Sequence, residues 1–422
     1  MIERVLVAGG GTGGHLFPGI AVVEELRRRI PDLDVLFVGT ERGIEARVLP
    51  ELGERFFAVD VKPLAGRQAL ELTRNLLSLP RSGVAALGTV RAFHPDLVLG
   101  LGGYAAGPLV MAASALRVPC ALLEQNAHVG LTNRRLAKTV RRAYLTYDET
   151  ASRFGERRAR VLGNPVRRAF VEAARAAGHD PQGVEARARS VLVLGGSLGA
   201  QTLNERVPDA LARAGLVELG TRVVHQTGRD QVEPVERRYA QLGIAAEVVP
   251  FIDDMARAYT NASLVIARAG ATTLAELCAI GRASILVPYP HAAQDHQAKN
   301  ALALEQASAA IAIGEQDLTV ELLADRVGRL LRDGSARRSM ADAARRRGRP
   351  DAAAAVVDDL FGWLGVPTDA APTSGGDDSV DEDDDVPDSA LPLSRPAVRR
   401  RPKLQRSQLR LRTIEQPMDL AR

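Results

Sequence analysis

The sequence contains little cysteine and no long apolar run, and both absences narrow the class of protein. Its two cysteines, Cys120 and Cys278, lie far apart with no ligand-type residue spaced beside either. They predict neither a disulfide framework nor a zinc site, and they indicate a reducing compartment. No apolar run approaches the roughly 20 residues of a membrane span. Because an apolar strand pattern begins at Val5, we expect no secretory signal and a protein that is soluble or at most peripheral to a membrane.

Aromatic residues are also scarce, and the overall charge is small. Phe, Tyr and Trp together make up 4% of the chain, which argues against a surface that stacks on bases. A formal net charge of +4 over 422 residues is too small to indicate whether the protein binds nucleic acid. From the aromatic content we predict no nucleic-acid partner.

What the chain does contain is a glycine-rich turn close to its start. The segment Gly9–His15 reads Gly-Gly-Gly-Thr-Gly-Gly-His, follows the apolar run 5–8 and precedes a helical pattern at 20–29. Bare backbone amides at a helix N-terminus are suited to a diphosphate, although the G-x-G-x-x-G spacing alone is weak evidence. A turn that only bound phosphate would not need an imidazole. His15 is therefore either a residue with a chemical role or one that bonds a backbone group near the helix start.

Short apolar strands alternate with amphipathic helices, a pattern typical of a parallel sheet that is covered on both faces. After about residue 163 the pattern restarts with a second strand, a glycine-rich turn at 195–200 and a helix at 202–214. We predict an α/β fold of two Rossmann-like doubly wound domains facing across a cleft, with residues 1–163 in the first and 164–349 in the second. The predicted strands are 5–8, 35–38, 56–59, 97–100, 120–123, 191–194, 222–226, 246–251, 264–267 and 284–288.

Two further segments differ in composition from the rest. Residues 366–422 form an acidic block followed by a basic block, and neither can bury a core, so we predict a disordered tail. The segment from Lys62 to Arg91 is basic and amphipathic. It either lies on an anionic membrane surface or covers the sheet as an ordinary helix, and the residues alone favour the ordinary helix.

A small-residue turn in the second half enters a helix at 271–276. Its amides and hydroxyls, together with the helix dipole, are suited to hold a diphosphate. The carboxylate of Glu276 is placed either to accept hydrogen bonds from two ribose hydroxyls or to stabilise the first turn of the helix. Gln297 and Asn300 carry amides that suit sugar hydroxyls.

Two patterns resemble metal sites without predicting one. His291 and His296 lie in a proline-containing loop that gives no fixed ligand geometry. Asp32 and Asp34 spell Asp-x-Asp, but they precede the second strand, at the end of the sheet away from the ligand crevice. We predict no metal site.

Six separated motifs occur in one order and together closely resemble the MurG family, the peptidoglycan N-acetylglucosaminyltransferases that convert lipid I to lipid II. The resemblance covers residues 2–364 and leaves only the tail outside. The motifs are 10–15, 124–126, 163–167, 195–200, 268–276 and 296–300.

The resemblance implies a GT-B glycosyltransferase that moves GlcNAc from UDP-GlcNAc to the 4-hydroxyl of the MurNAc of lipid I, with inversion. His15 would be the catalytic base. Gly103, Tyr104 and Glu124 would lie on the acceptor side, and a helix at about 350–364 would pack back on the first domain. The residues that would bind the donor are Thr12, Gly13, Gly14, Asn126, Arg167, Ser197, Ile252, Ala271, Thr272, Thr273, Leu274, Ala275, Glu276 and Gln297.

The resemblance also implies a place in peptidoglycan synthesis, cell shape and cell division, at the cytoplasmic face of the cell membrane. The partners would be UDP-GlcNAc, lipid I and the anionic inner-leaflet surface, with other cell-wall synthesis proteins as candidate further partners. No cofactor is implied.

Three other functions stay open from the residues alone. A dinucleotide-dependent oxidoreductase would explain the glycine spacing but would want an acid at the end of the second strand, where Gly39 and Thr40 stand. A nucleotide-sugar epimerase would share the fold but would need extra carboxylates in the cleft. A non-catalytic membrane scaffold would not need His15, Glu276 and Gln297 together.

Overall fold

The protein is described by a computed structural model that covers residues 2–59, 82–179, 190–196, 199–292 and 295–367. Ser197, most of the basic segment at 62–91 and the predicted tail from 368 onward lie outside the described residues.

The described residues of the first half form a parallel sheet of seven strands in the order β3-β2-β1-β4-β5-β6-β7. Because the order reverses between β1 and β4, a ligand crevice opens at their carboxyl ends. The elements are β1 (Arg4–Gly9), α1 (Gly13–Arg29), β2 (Asp34–Gly39), α2 (Glu45–Glu51), β3 (Phe56–Ala58), α3 (82–93), β4 (Leu97–Gly102), α4 (Gly103–Ala115), β5 (Cys120–Glu124), α5 (Leu131–Leu136), β6 (Arg142–Leu145) and β7 (Ala159–Val161).

In the second half, the part of the chain that the structure describes forms a parallel sheet of six strands in the order β10-β9-β8-β11-β12-β13, with its reversal between β8 and β11. Its elements are α6 (Arg168–His179), β8 (Ser190–Leu194), α7 (Gln201–Arg213), β9 (Arg222–Gln226), α8 (Val232–Gln241), β10 (Ala246–Val249), α9 (Met255–Asn261), β11 (Ala262–Ala267), α10 (Ala271–Ile280), β12 (Ser284–Leu286), α11 (His296–Gln306), β13 (Ile311–Ala312), α12 (Val320–Arg332), α13 (Gly334–Arg347) and α14 (Ala352–Leu364).

The last helix, α14, returns to the first sheet. Its residues Val356, Val357, Leu360 and Phe361 are buried in the same core as the apolar residues of α1 and β1. Burial of apolar side chains of this size stabilises the packing by about 1.5–3 kcal/mol each. The chain therefore crosses between the halves twice, near 163–168 and near 348–352.

The structure corrects several predicted boundaries. Helix α1 begins at Gly13 rather than at residue 20, so His15 lies in its first turn. The strands predicted at 246–251 and 284–288 end at Val249 and Leu286, one and two residues before Pro250 and Pro288, whose missing N–H groups cannot continue a ladder. The sequence did not predict β6, β7 and β13, which have only two to four residues.

Candidate active site

Two glycine turns meet at the crevice of the first sheet. Gly103 begins α4 with φ +77°, and a Cβ on it would lie 2.6 Å from the carbonyl oxygen of Gly10. Gly102, with φ +93°, lies against the imidazole, since a Cβ there would be 3.0 Å from Cδ2 of His15. Only glycine combines these positive φ angles with this close approach. The turn after β4 therefore forms one wall of the space that holds the His15 ring.

His15 is fixed by its own turn and partly shielded from solvent. Its Nδ1 lies 3.0 Å from Oγ1 of Thr12, so this hydrogen bond orients the ring and leaves Nε2 on the side of Gly102. Burial, and to a smaller extent His296, lowers the pKa of His15 to about 4, and Glu45 opposes this shift. The imidazole is therefore neutral near pH 7, which is the protonation state that a general base requires.

A hydrogen bond joins the two halves beside His15. In a helix the N–H of residue 18 would bond the carbonyl of residue 14, but Pro18 has no N–H. The Gly14 carbonyl is thus left for another donor, and Oγ1 of Thr272, at the start of α10, donates to it at 3.1 Å. This contact brings the glycine-rich turn of the first half against the small-residue turn of the second.

Glu276 lies one turn into α10 and is 7% exposed. Burial raises its pKa to about 7, and Arg167 acts in the opposite direction from 3.9 Å, measured from Nη2 to Oε1. Arg167 itself is held between two rings, with its guanidinium carbon 4.8 Å from the centroid of Phe17 and 5.4 Å from that of Phe170. Phe17 belongs to the first half, so Arg167 links the linker segment, the first half and Glu276.

Ile252 and Gln297, which are also predicted to bind the donor, follow strands β10 and β12 of the second sheet. Ile252 donates its N–H to Oε1 of the Gln226 side chain at 3.1 Å. Nε2 of the same Gln226 side chain donates to the carbonyl of Gly196 at 2.9 Å. Gln226, which the sequence did not single out, thus couples the second glycine turn to Ile252. Gln297 accepts from the N–H of Tyr289 at 3.0 Å through Oε1. In contrast, Asn300 is fully buried and its Nδ2 donates to the carbonyl of Ala269 at 3.4 Å, so it braces the turn.

The residues predicted on the acceptor side differ in exposure. Tyr104 is exposed, whereas Glu124 is buried and burial raises its pKa. Its oxygens accept from the N–H of Gly130 at 2.9 Å, from Nδ2 of Asn133 at 3.0 Å and from the N–H of Asn126 at 3.2 Å. The carboxylate of Glu124 therefore shapes the loop after β5, and Asn126 at the start of that loop is partly exposed.

Metal-binding groups are not gathered at the site. Among the described residues, no three His, Cys, Asp or Glu side chains lie together in a way that could hold a metal ion. Asp34 is at the amino end of β2 and pairs with Arg55. The ring of His291 packs edge-on against Tyr289, with 5.5 Å between the centroids.

Two charged groups to which the sequence reasoning gave no role support these turns. Arg268 is buried, pairs with Glu315 and donates from Nη1 to the carbonyl of Val287 at 3.2 Å, which holds the strand end before Gln297. Glu45 is buried beneath the first glycine turn. The local signal for Glu45 is its place two residues after a glycine-flanked segment, Gly39-Thr40-Glu41-Arg42-Gly43, that follows β2.

Two doubly wound domains, with a neutral imidazole on one side and the amino end of helix α10 on the other, define the class of two-domain Rossmann-like enzymes. Residues 5–145 match the glycosyltransferase family 28 N-terminal domain, and residues 190–356 match the glycosyltransferase family 28 C-terminal domain. The chain belongs to glycosyltransferase family 28.

Two relatives carry the same enzyme name, and each match covers most of both chains. A protein of Myxococcus xanthus named UDP-N-acetylglucosamine--N-acetylmuramyl-(pentapeptide) pyrophosphoryl-undecaprenol N-acetylglucosamine transferase is 46% identical over 355 residues, which are 84% of this chain and 91% of the relative. A protein of Sorangium cellulosum with the same name is 47% identical over 379 residues, 88% of this chain and 92% of the relative. The resemblance to the MurG family that the motifs predict is confirmed.

Solved structures support the same fold. The crystal structure of Acinetobacter baumannii MurG is similar with a TM-score of 0.67 and 30% identity, and the match covers 85% of this chain and 99% of that one. A UDP-GlcNAc 2-epimerase of Neisseria meningitidis, bound to UDP-GlcNAc, gives a TM-score of 0.59 at 13% identity, covering 86% of this chain and 100% of that one. At that identity the epimerase shares the fold alone.

Proposed function

We propose that this chain transfers GlcNAc from UDP-GlcNAc to the 4-hydroxyl of the MurNAc of lipid I and so forms lipid II. The observation that carries the proposal is the hydrogen bond from Thr272 to Gly14, because it places His15 of the first half beside the diphosphate-type turn of the second. The names of the relatives, at 46–47% identity over most of this chain, specify the same donor and acceptor.

The chemistry follows from this arrangement. Neutral His15 accepts the proton of the acceptor hydroxyl as its oxygen attacks the anomeric carbon from the face opposite UDP. The negative charge that develops on the leaving UDP is stabilised by the amides and the dipole at the start of α10. Glu276 accepts hydrogen bonds from the ribose hydroxyls, and Ile252 and Gln297 contribute further contacts to UDP-GlcNAc. Thr12, Gly13 and Gly14 close over the diphosphate.

One assay separates this function from the alternatives. We expect the purified protein to release UDP from UDP-GlcNAc only when a soluble lipid I analogue is present, with the disaccharide as the product. An epimerase would instead produce ManNAc without the acceptor, which proton NMR of the sugar detects. Calorimetry with NAD serves as the control for the oxidoreductase, and heat from NAD in the absence of UDP-GlcNAc binding would contradict the proposal.

We also propose that the first half docks on the cytoplasmic face of the membrane through the surface of α3, α4 and α5. These three helices cover one face of the first sheet and share one core. Among the described residues, no helix has the length and apolar character to span a bilayer. The side chains of Val84, Met111 and Leu131 are nevertheless 71%, 62% and 38% exposed. Exposed cations on and beside these helices suit anionic lipid headgroups, and they include Arg91, Arg117, Arg134, Arg135 and Lys138.

Vesicle binding tests this surface. We expect the protein to sediment with vesicles that contain anionic lipid and much less with zwitterionic ones. Met111→Asp should weaken this binding by about 10- to 150-fold, because a side chain of this size contributes about 1.5–3 kcal/mol when it leaves water. Val217→Asp is the matched control, since Val217 is 52% exposed on the second half. Equal loss in both variants would contradict the proposed surface.

A further inference from the structure

The carboxylate of Glu45 lies beneath the glycine-rich turn and is fully buried. Its Oε2 accepts from the N–H of Gly11 at 2.7 Å. Its Oε1 accepts from the N–H of Thr40 at 2.9 Å and from Oγ1 of Thr40 at 3.0 Å. All three donors are neutral. Burying a carboxylate is costly unless several hydrogen bonds compensate, so this arrangement calls for a function beyond filling space.

Three glycines make room for this carboxylate. A Cβ at Gly10 would lie 2.5 Å from Cδ of Glu45, one at Gly39 would lie 2.7 Å from Cγ, and one at Gly43 would lie 2.1 Å from Oε2. Each distance is shorter than any van der Waals contact. Any larger residue at these places would displace the Glu45 side chain, so the glycines of two separate turns are adapted to one anionic group.

We propose that Glu45 is a positioning residue for His15: it fixes the backbone at Gly11 and supplies the negative charge that stabilises the imidazolium formed when His15 takes the acceptor proton. The inference rests on the proposed role of His15 as the base. Glu45 acts through the turn, because its bond goes to Gly11, one residue before the Thr12–His15 segment.

The charges that face His15 fit this role. His296, on α11 of the second half, and burial both disfavour a proton on the imidazole, and Glu45, on α2, favours it. A histidine whose imidazolium has a very low pKa is a weak proton acceptor. Glu45 therefore offsets part of the loss of basicity that enclosure in the cleft imposes, without giving up the neutral state at pH 7.

The test compares Glu45→Gln with Glu51→Gln. Both remove one negative charge from α2, but Glu51 is exposed at the far end of the helix. We expect Glu45→Gln to lower kcat about ten-fold, which corresponds to about 1.4 kcal/mol, with little change in the KM for UDP-GlcNAc. Glu51→Gln should leave both constants at the parent values.

The titration of His15 distinguishes positioning from a merely structural contribution. In protein labelled with ¹³C-histidine, the His15 signal is assigned by its loss in His15→Ala. We expect its pKa to fall below the parent value of about 4 in Glu45→Gln and to stay unchanged in Glu51→Gln. An unchanged His15 pKa in a folded Glu45→Gln protein, or an unchanged kcat, overturns the inference.

Folding is checked by the fluorescence of Trp363, the chain's single tryptophan, which packs against the core of the first half. If Glu45→Gln does not fold, Glu45→Asp carries the test. It keeps the charge but shortens the side chain, so we expect a lower kcat with the His15 pKa near the parent value. Parent kcat in Glu45→Asp would then overturn the inference. Failure of the proposed base is separate, because it would show as full turnover in His15→Ala.

Discussion

Turnover should fall by roughly 10²- to 10⁴-fold when His15 is replaced by alanine, while the affinity for UDP-GlcNAc changes little. The reason is that most of the proposed donor contacts come from the second half, whereas the imidazole is needed only as the acceptor hydroxyl loses its proton. Rates are measured with saturating donor and a soluble lipid I analogue, and donor affinity is measured by calorimetry.

The pH dependence of kcat in the parent protein provides a second test of His15 as the base. Its pKa is lowered to about 4, so the imidazole stays neutral as the pH falls from 7 and gains a proton only near pH 4. We expect kcat at saturating donor to be nearly level from pH 7 to pH 5 and to fall below that, through an ionisation that His15→Ala lacks. His291→Ala is the matched control, because His291 is an exposed histidine on the other side of the cleft. Full turnover in His15→Ala would remove His15 from catalysis.

Replacing Glu276 by alanine should weaken donor binding by about 1–3 kcal/mol, or about 5- to 150-fold in Kd, through loss of the ribose hydrogen bonds. The effect on kcat at saturating donor should be small, because these bonds are present in both the ground state and the transition state. Glu236→Gln, at an exposed position on α8, is the control for a general charge effect. Unchanged donor affinity in Glu276→Ala would assign Glu276 to stabilising α10 only.

The raised pKa of Glu276 gives this residue its own pH signature. With a pKa of about 7, the carboxyl is half protonated at neutral pH in the free protein, and a protonated carboxyl has lost part of its capacity to accept from ribose. We therefore expect kcat/KM for UDP-GlcNAc to rise between about pH 6 and pH 8, in a limb that Glu276→Gln abolishes. The change in kcat/KM near pH 7 that we assign to Glu276 lies far from the change in kcat near pH 4 that we assign to His15. A change in kcat/KM near pH 7 that persists in Glu276→Gln would therefore contradict this assignment.

Local sequence patterns were sufficient for the architecture. Alternating apolar strands and amphipathic helices predicted both parallel sheets, because each strand that is covered on both faces must be apolar along its length. The short strands β6 and β7 were not predicted because they lack such a continuous apolar pattern. They lie toward one edge of the first sheet and carry Arg142 and Arg160, which donate hydrogen bonds to Asp359 of α14. Such strands are specified by the partner that covers them, which no local window contains.

The start of α1 shows the limit of propensity. Gly13, Gly14 and Pro18 are poor helix residues, so the pattern placed the helix start at residue 20. In the structure the buried side chains of Leu16 and Ile20 hold this first turn against the sheet. Packing therefore decides the helix start and places His15 within the helix.

The sequence by itself determined the two glycine turns, His15 and Glu276 as candidates and, through six ordered motifs, the family. Tertiary structure alone decided how these residues act on one another. The bond from Thr272 to Gly14 spans 258 positions, and the bond from Gly11 to Glu45 spans 34. Likewise, the pKa values of about 4 for His15 and about 7 for Glu276 arise from burial and from charges on distant segments. Desolvation and Coulomb energy depend on distance in space, and residues far apart in the chain acquire that distance only when it folds.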